Sequence, residues 1–530
     1  MNRNIKASFA VVLFGTATLL NGCTKLDETV YDRVPTEEFV PTEKDIPTII
    51  APVYTNLRGM HASWQGNFDL QEEAADVIVT PARPNGWFDG GTYQRMHQHA
   101  WNAVQWQPQN LWEHCYRGIN TANRVIYQME SGEVPIASGK EQLVAELKAA
   151  RAYYYYNLLD NHGNVPIVTD YKDVSLPKQS TRLEVYNFVV KEFTDAIPLL
   201  NEKADQSTYG RFTKWAAKAM LAKVYLNAGV YTGTPQWDKV IQECNDIIAA
   251  APGRYVLEAD YKAPFKTDNH NSKELIFAVP YDEIQATQFN MHMKTLDPVH
   301  RAVLSMAAQP WGGNAAVPQF IDTYDPDDSR LKDTWIMGPQ LNATTGAVVI
   351  NYTKHLDGLA LSGSNQGYRI GKYEIKIGAR GALSTDYPLA RYSDVLMMKA
   401  EALLRTGKAN EAAEIVTQVR QRAFKANPAK ATVTGAQLMM GSSYKYGYYN
   451  TNGTISEYQG GDDIQFGRFL DELGWEFAAE ARRRQDLIRF GVFSTKTWFN
   501  HRPTSPNKAL FPLPEAELVK NSNLKQNPGY

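Results

Sequence analysis

Cysteine is nearly missing from this chain: Cys23, Cys115 and Cys244 are the only three in 530 residues. Two internal cysteines cannot build a disulfide framework, and a chain this long can bury a full core without one. Both lie in stretches of helical period and read as small core residues. A charge excess of one sign is missing too, because 55 basic residues face 57 acidic ones, for a formal net charge of −2. No basic patch or tail interrupts that balance, which excludes a nucleic-acid partner. No Gly/Ser or Pro linker divides the chain cleanly. There is no Gly-x-Ser-x-Gly elbow, phosphate-binding loop or dinucleotide fingerprint. His97 and His99 stand two apart with no third ligand at zinc spacing. Motifs therefore assign no catalytic residue, no metal and no cofactor.

What is present begins with a leader over residues 1–22. Arg3 and Lys6 precede an uncharged apolar run, Ala7 to Leu20, which is too short to span a bilayer comfortably. Leu20-Asn21-Gly22-Cys23 resembles a lipobox, with Asn21 in place of the usual small residue. Its cleavage would leave Cys23 as a lipidated N-terminus, followed by Lys25, Asp27 and Glu28. Losing Arg3 and Lys6 takes the basic count from 55 to 53 against 57 acidic residues, a net charge of −4.

The rest is dominated by helical period, in blocks at about 111–130, 139–161, 182–201, 213–229, 235–250, 388–406, 409–425 and 465–490. Trp215, Ala219, Ala222 and Leu226 make one apolar stripe, and Leu396, Ala400, Leu403 and Leu404 make another, each followed by a glycine exit at Gly229 or Gly407. Helix, short Gly-containing turn, helix is the grammar of tetratricopeptide repeats, although the period is degenerate. The last block carries Phe469, Leu473, Phe477 and Ala481 on one face. Glu472, Glu476, Glu480, Arg483, Arg484, Asp486 and Arg489 are spaced for ion pairs on the others. Those charges read as a capping and ion-pair network. Pro512, Pro514 and the ending Asn527-Pro528-Gly529-Tyr530 are patterned where a tail would normally fray, so the end is expected to be docked. The expectation is a mainly α, tetratricopeptide-like scaffold with long loops and a few short strands. It forms a single domain over 23–530, with an N-terminal part to about 260 and a C-terminal part from about 270.

Recognition belongs in the loops. Trp64, Trp87, Trp101, Trp106 and Trp112 are crowded early, and the last three, in or near helix, read as core. Trp87 instead sits on a turn, after Pro81-Ala82-Arg83-Pro84-Asn85-Gly86 and before Phe88-Asp89-Gly90-Gly91. A sugar offers a flat C–H face rimmed by hydroxyls, so its site needs an aromatic plate ringed by polar groups. Trp87 with Asn85, Asp89 and Tyr93 supplies these, the other reading being a loop folded back to bury Trp87. Trp311 and Asn314, in Gln309-Pro310-Trp311-Gly312-Gly313-Asn314, form the second candidate. As loop plates the two tryptophans would support no core. Tyr444 to Tyr449 reads as a mobile surface loop. Asp325, Asp327 and Asp328 lack the twelve-residue loop of a calcium site. Glu72, Glu73 and Asp76 are the acidic cluster that a glycosidase reading would have to use.

Several segments together resemble the SusD/RagB family of Bacteroidetes surface lipoproteins. Arg484…Asp486-Leu487-Ile488-Arg489-Phe490-Gly491 and Pro512…Pro514…Gln526-Asn527-Pro528-Gly529-Tyr530 match its C-terminal motifs. Arg211-Phe212-Thr213-Lys214-Trp215-Ala216-Ala217 and Arg391-Tyr392-Ser393-Asp394-Val395-Leu396 match its repeat helices, with Ser393 replacing Ala. With the lipobox, the likeness covers nearly the whole mature chain. It implies about four repeat pairs decorated by loops on one side. It also implies lipid anchoring to the outer membrane on the extracellular side, capture of a nutrient glycan, and delivery to a SusC-like TonB-dependent transporter. A peptide receptor of the RagB kind is the alternative within binding functions, and a surface glycoside hydrolase the alternative outside them. Cys23→Ala is expected to abolish acylation and to release the protein from outer-membrane fractions. Fatty-acid labelling and flotation check this, and lipid on the variant would refute the lipobox.

Overall fold

The computed structural model describes residues 42–61 and 66–530. The leader, Cys23 and Trp64 lie outside the described residues. The chain opens with α1 (Ile46–His61), α2 (Asn67–Glu72) and α3 (Thr92–His97). Two long helices follow, α4 (Trp106–Glu130) and α5 (Lys140–Asn161), then α6 (Arg182–Ala196), α7 (Lys214–Leu226) and α8 (Trp237–Ala250). A loop-rich region carries the short α9 (Met291–Thr295). Beyond it come α10 (Tyr392–Arg405), α11 (Ala409–Gln421), α12 (Gly467–Phe477), α13 (Arg483–Arg489) and α14 (Glu515–Lys520).

Helices pack in succession: α1 on α4, α4 on α5, α5 on α6, α7 on α8, α8 on α10 and α10 on α11. This is how a repeat scaffold passes its core from pair to pair. Local chemistry sets the ends. Thr181 and Glu184 form a capping box at α6, and the Thr213 side chain accepts from Ala216 N at α7. Small residues set the spacing: a Cβ on Gly118 of α4 would lie 2.2 Å from the Tyr154 ring of α5. Trp215 is buried on its stripe, with Nε1 donating to Glu202 O at 2.8 Å.

Among the described residues every sheet is a two-stranded ladder. β1 (Ile78–Val79) pairs antiparallel with β3 (Ala315–Ala316), and β2 (Leu275–Val279) with β6 (Tyr387–Arg391). Between them β4 (Gly338–Leu341) and β5 (Val348–Tyr352) form a hairpin. The β1–β3 ladder brings the early loops to the late ones, which periodicity along the chain cannot show.

Four expectations are corrected. The block at 388–406 starts as strand, because residues 387–391 are fully buried and pair with β2 before α10 begins. Trp106 is not core: it opens α4 and is 44% exposed. Tyr444 and Tyr446 do not lie on a mobile surface loop. Both are buried, with rings 4.2 Å apart, and their hydroxyls donate to Asp76 O at 3.0 Å and Asp76 Oδ2 at 2.8 Å. Finally, 465–490 is two helices, not one. Ala479 and Ala481 sit at φ of 64° and 57°, so the chain turns between α12 and α13.

That break has a cause outside the segment. The Glu476 carbonyl accepts from Lys372 Nζ at 3.0 Å, Arg391 Nη2 at 2.9 Å and Tyr261 Oη at 3.1 Å. The Ala478 and Ala479 carbonyls accept from Lys372 Nζ and Tyr373 Oη. With its last carbonyls satisfied from outside, the helix has no need of another turn. The acidic face is consumed in the same place. Glu476 meets Arg391 at 2.8 Å and Arg422 at 2.5 Å, and Glu274 meets the same two arginines at 2.8 and 2.6 Å. Burial opposes the Glu476 charge, but Arg422, Arg391 and Arg330 outweigh it and hold the carboxyl well below the usual range.

The tail is docked as expected. Asn527 Nδ2 donates to His162 O and Phe511 O, both at 2.8 Å, and Tyr530 Oη donates to Leu510 O at 2.7 Å. Removing one partner of the buried network leaves the others uncompensated. Arg391→Ala is therefore expected to cost about 3–5 kcal/mol in urea unfolding, and a change within error of zero would refute the network's role.

Candidate functional site

The first aromatic loop is shaped by its turn residues. Arg83 N donates to Trp87 O and Gly86 N to Arg83 O, both at 3.0 Å, closing a tight bend with Gly86 at φ 93°. Asp89, Gly90 and Gly91 then follow at φ 47°, 59° and 73°. Three successive left-handed residues are rare, and only the two glycines adopt them freely. Phe88, just before them, is 49% exposed, whereas Trp87 is half-buried.

The second loop hangs from α9. Trp311 N donates to Met293 O at 2.7 Å and Gly313 N to Lys294 O at 2.6 Å, and the chain then enters β3 beside β1. The two loops therefore meet. The Trp87 and Trp311 rings stack with centroids 6.0 Å apart and planes at 15°, and Trp87 stacks on Tyr93 at 6.2 Å and 24°. Asn85 ties them together, its Nδ2 donating to Trp311 O at 2.8 Å while its Oδ1 accepts from Trp87 N at 3.1 Å. Gly313 has to be glycine, since a Cβ there would lie 2.8 Å from the Trp87 ring and 3.1 Å from Lys294 O.

The six residues singled out in the sequence thus occupy two levels. Asn85 is exposed and Trp87, Asp89 and Trp311 are half-buried. Tyr93 and Asn314, each 1% exposed, lie beneath them and present no side chain outward. Nor do the tryptophans stand clear of the core, because Trp87 rests on buried Tyr93 and Trp311 packs on Met293, Leu296, Met306 and Ala379. Trp87 Nε1 and Asp89 Oδ2 are buried and have no hydrogen-bond partner in the protein. A stacked aromatic face with the exposed Asn85 beside it suits the C–H face and hydroxyls of a pyranose. Burial raises the Asp89 carboxyl, with Lys294 opposing the rise.

Sequence reasoning missed the residues underneath. Lys294 Nζ lies 2.7 Å from Asp69 Oδ1, 2.7 Å from Glu73 Oε1 and 3.8 Å from the Tyr93 ring centroid. Glu73 Oε1 also accepts from Thr80 Oγ1 at 2.7 Å. Burial works against the Lys294 charge, but Asp69 and Glu73 outweigh it and raise its ammonium above the ordinary range. Arg83 Nε and Arg369 Nη1 both reach Gly313 O, at 3.0 and 3.3 Å. Burial lowers both guanidiniums, and Arg369 adds to the effect on Arg83. The only trace of Lys294 in the sequence is one charge inside Met291-His292-Met293-Lys294-Thr295, and its partners lie more than two hundred positions away.

The other two members of the acidic cluster, Glu72 and Asp76, are committed elsewhere. Asp76 is held by Arg483 Nε at 2.7 Å and Nη2 at 3.0 Å, and Glu72 Oε1 accepts from Arg482 N at 3.2 Å. Asp325 and Asp327 both hold Lys430 Nζ, at 2.8 Å each, so an ammonium stands where a calcium ion would have to bind. Among the described residues no group of three or more His, Cys, Asp or Glu side chains could hold a metal ion. A groove of about 760 Å³ between α4, residues 166–180 and α14 is separate from the aromatic pair.

A family model described as "Starch-binding associating with outer membrane" matches residues 26–226, and one described as "SusD family" matches residues 273–503. The starch-binding protein SusD of Bacteroides thetaiotaomicron is 24% identical over 437 residues, covering 73% of this chain and 72% of its own. A SusD-like protein from Bacteroides fragilis superposes with a TM-score of 0.71 at 21% identity, over 95% of this chain and 100% of its own. Surface glycan-binding protein A from Bacteroides thetaiotaomicron, solved with laminarihexaose, superposes with a TM-score of 0.67 at 18% identity, over 92% and 99%. At these identities the superpositions establish a shared fold.

Gly313→Ala is expected to push Trp87 off Trp311, because the added Cβ would lie 2.8 Å from the half-buried ring and 3.1 Å from the backbone carbonyl of Lys294, and the ring is the side that can move. The near-ultraviolet circular dichroism of the tryptophan pair should collapse, with a stability loss of about 1–3 kcal/mol. An unchanged spectrum would mean that the contact is not fixed by this glycine.

Proposed function

Because the chain belongs to the SusD/RagB family, we propose that it is a non-catalytic cell-surface lipoprotein of the outer membrane. In this reading it binds a nutrient oligosaccharide or polysaccharide and delivers it to a SusC-like TonB-dependent transporter, anchored through Cys23. The observation that carries the binding half is the meeting of Trp87 and Trp311 from loops more than two hundred residues apart. A core aromatic pair would be sealed, whereas these two rings stay partly exposed beside Asn85, Asp89 and Phe88. Asn85 and Asp89 supply the polar rim, and Tyr93 and Asn314 support the face from below. Related proteins named for starch, or solved with laminarihexaose, make glucans the first ligands to test. The commitment of Glu72, Glu73 and Asp76 to neighbouring groups argues against a pair of carboxylates poised for hydrolysis.

In affinity gels the protein is expected to be retarded by soluble starch, laminarin or another neutral glycan without releasing reducing ends. Losing a stacking anchor costs about 2 kcal/mol or more, roughly thirtyfold in affinity. Trp311→Ala and Trp87→Ala should each show at least that loss by calorimetry while thermal melts confirm a folded protein. Full affinity in both folded variants would move the site elsewhere, and release of reducing ends would make the protein an enzyme. Binding of peptides with no glycan retained would favour the peptide receptor.

A further inference from the structure

The floor under the aromatic pair carries unbalanced charge. One ammonium, Lys294, faces two carboxylates at 2.7 Å each, and all three side chains are at most 2% exposed. Asp69 Oδ2, Glu73 Oε2 and the neighbouring Asn314 Oδ1 are buried and have no partner in the protein. A net charge in such a place is costly, and one proton placed on Asp69 removes it. The floor is also joined to the face above it. Asp69 shares a hydrogen bond with the Tyr93 hydroxyl, the Lys294 ammonium sits over the Tyr93 ring, and that ring stacks on Trp87. The other ionisable groups nearby are Asp89 on the aromatic loop and His97 on α3, which burial keeps neutral. Glu72, on the same helix as Asp69, is also raised by burial to about 7, with Arg482, Lys372 and Arg483 opposing the rise, so Asp69→Asn is needed to assign a transition there.

We propose that Asp69, Glu73 and Lys294 are a proton-linked support for the aromatic face, taking up a proton when a glycan covers Trp87 and Trp311; the glycan half rests on the function proposed above. Burial raises Asp69 to about 7, with Lys294 opposing the rise and Glu73 adding to it. A glycan lying over the stack removes more water and disfavours the charged form further. The protonated acid keeps an oxygen for Lys294, so uptake of the proton leaves the geometry in place. Affinity then rises as pH falls through the neutral range. If covering lifts the carboxyl by one more unit, binding is about fivefold tighter at pH 6 than at pH 8.

Two arms test this. Difference tryptophan fluorescence, wild type minus Trp87→Phe, needs no ligand and is expected to show one transition near pH 7 that Asp69→Asn removes. Asparagine imitates the neutral acid, and Glu73→Gln serves if melts show that Asp69→Asn is unfolded. Calorimetry with laminarihexaose and with soluble starch, in buffers of different ionisation enthalpy, should show proton uptake and tighter binding at acid pH, with Asp69→Asn binding tightly and independently of pH. Failure of both glycans to bind would defeat only a glucan as the ligand, leaving the fluorescence arm to decide the proton. Absence of the transition, its survival in the folded variants, or pH-independent binding by wild type would overturn the proposal.

Discussion

Everything in this molecule hangs on a buried exchange of charge around Glu476. Its carboxylate faces Arg391 and Arg422, those arginines also face Glu274, and Arg391 continues to Glu480. Taken singly such pairs do little for stability, since desolvation offsets attraction. Taken together they fix register, because each guanidinium has only one arrangement in which all its partners are met. The network joins the end of α12 to β6, to the end of β2's approach at Glu274 and to the segment after α11. Parts of the chain from about residue 274 to residue 480 are thereby set against one another.

The same junction sends its influence to the N-terminal loops. Because α12 stops at Phe477, α13 starts in a new direction, and Arg482 and Arg483 turn towards α2 and its exit. There Arg482 N meets Glu72 and the Arg483 guanidinium meets Asp76. Asp76 lies two residues before β1, and β1 pairs with β3, whose strand continues the Trp311 loop. A clasp near the C-terminus therefore places both aromatic loops, although it touches neither tryptophan.

At the site itself, rigidity comes from below. Lys294 holds α2 through Asp69 and Glu73, and its carbonyl holds Gly313 of the second loop. Asn85 closes the assembly from above. Such a face needs little reordering to meet a flat ligand, and a preorganised surface loses less entropy on binding. The left-handed run at Asp89 to Gly91 concentrates backbone strain in the same loop.

Much of this was legible in the linear chain wherever the cause is local. Apolar period gave the repeat helices, because a side chain every third or fourth residue faces the same neighbour. The patterned ending of the chain announced a docked tail. The turn chemistry around Trp87 and Trp311 singled out both loops as departures from helix. What the chain could not disclose is whatever depends on a distant donor. The split between α12 and α13 requires Lys372, Arg391 and Tyr261 to take the Glu476 carbonyl; without them the apolar stripe reads as one helix. Tyr444 and Tyr446 look like an exposed aromatic run until Asp76 accepts their hydroxyls. Tyr93, in the first turn of α3, and Asn314 stand close in sequence to surface groups, and only the tertiary packing shows them to be the floor. Lys294 shows only as one charge in an apolar stretch, because an ammonium becomes part of a site only when two carboxylates from the α2 region are folded onto it. Sequence determines which faces are apolar and where the chain can turn, whereas the partners of buried charges are set by contacts across hundreds of residues.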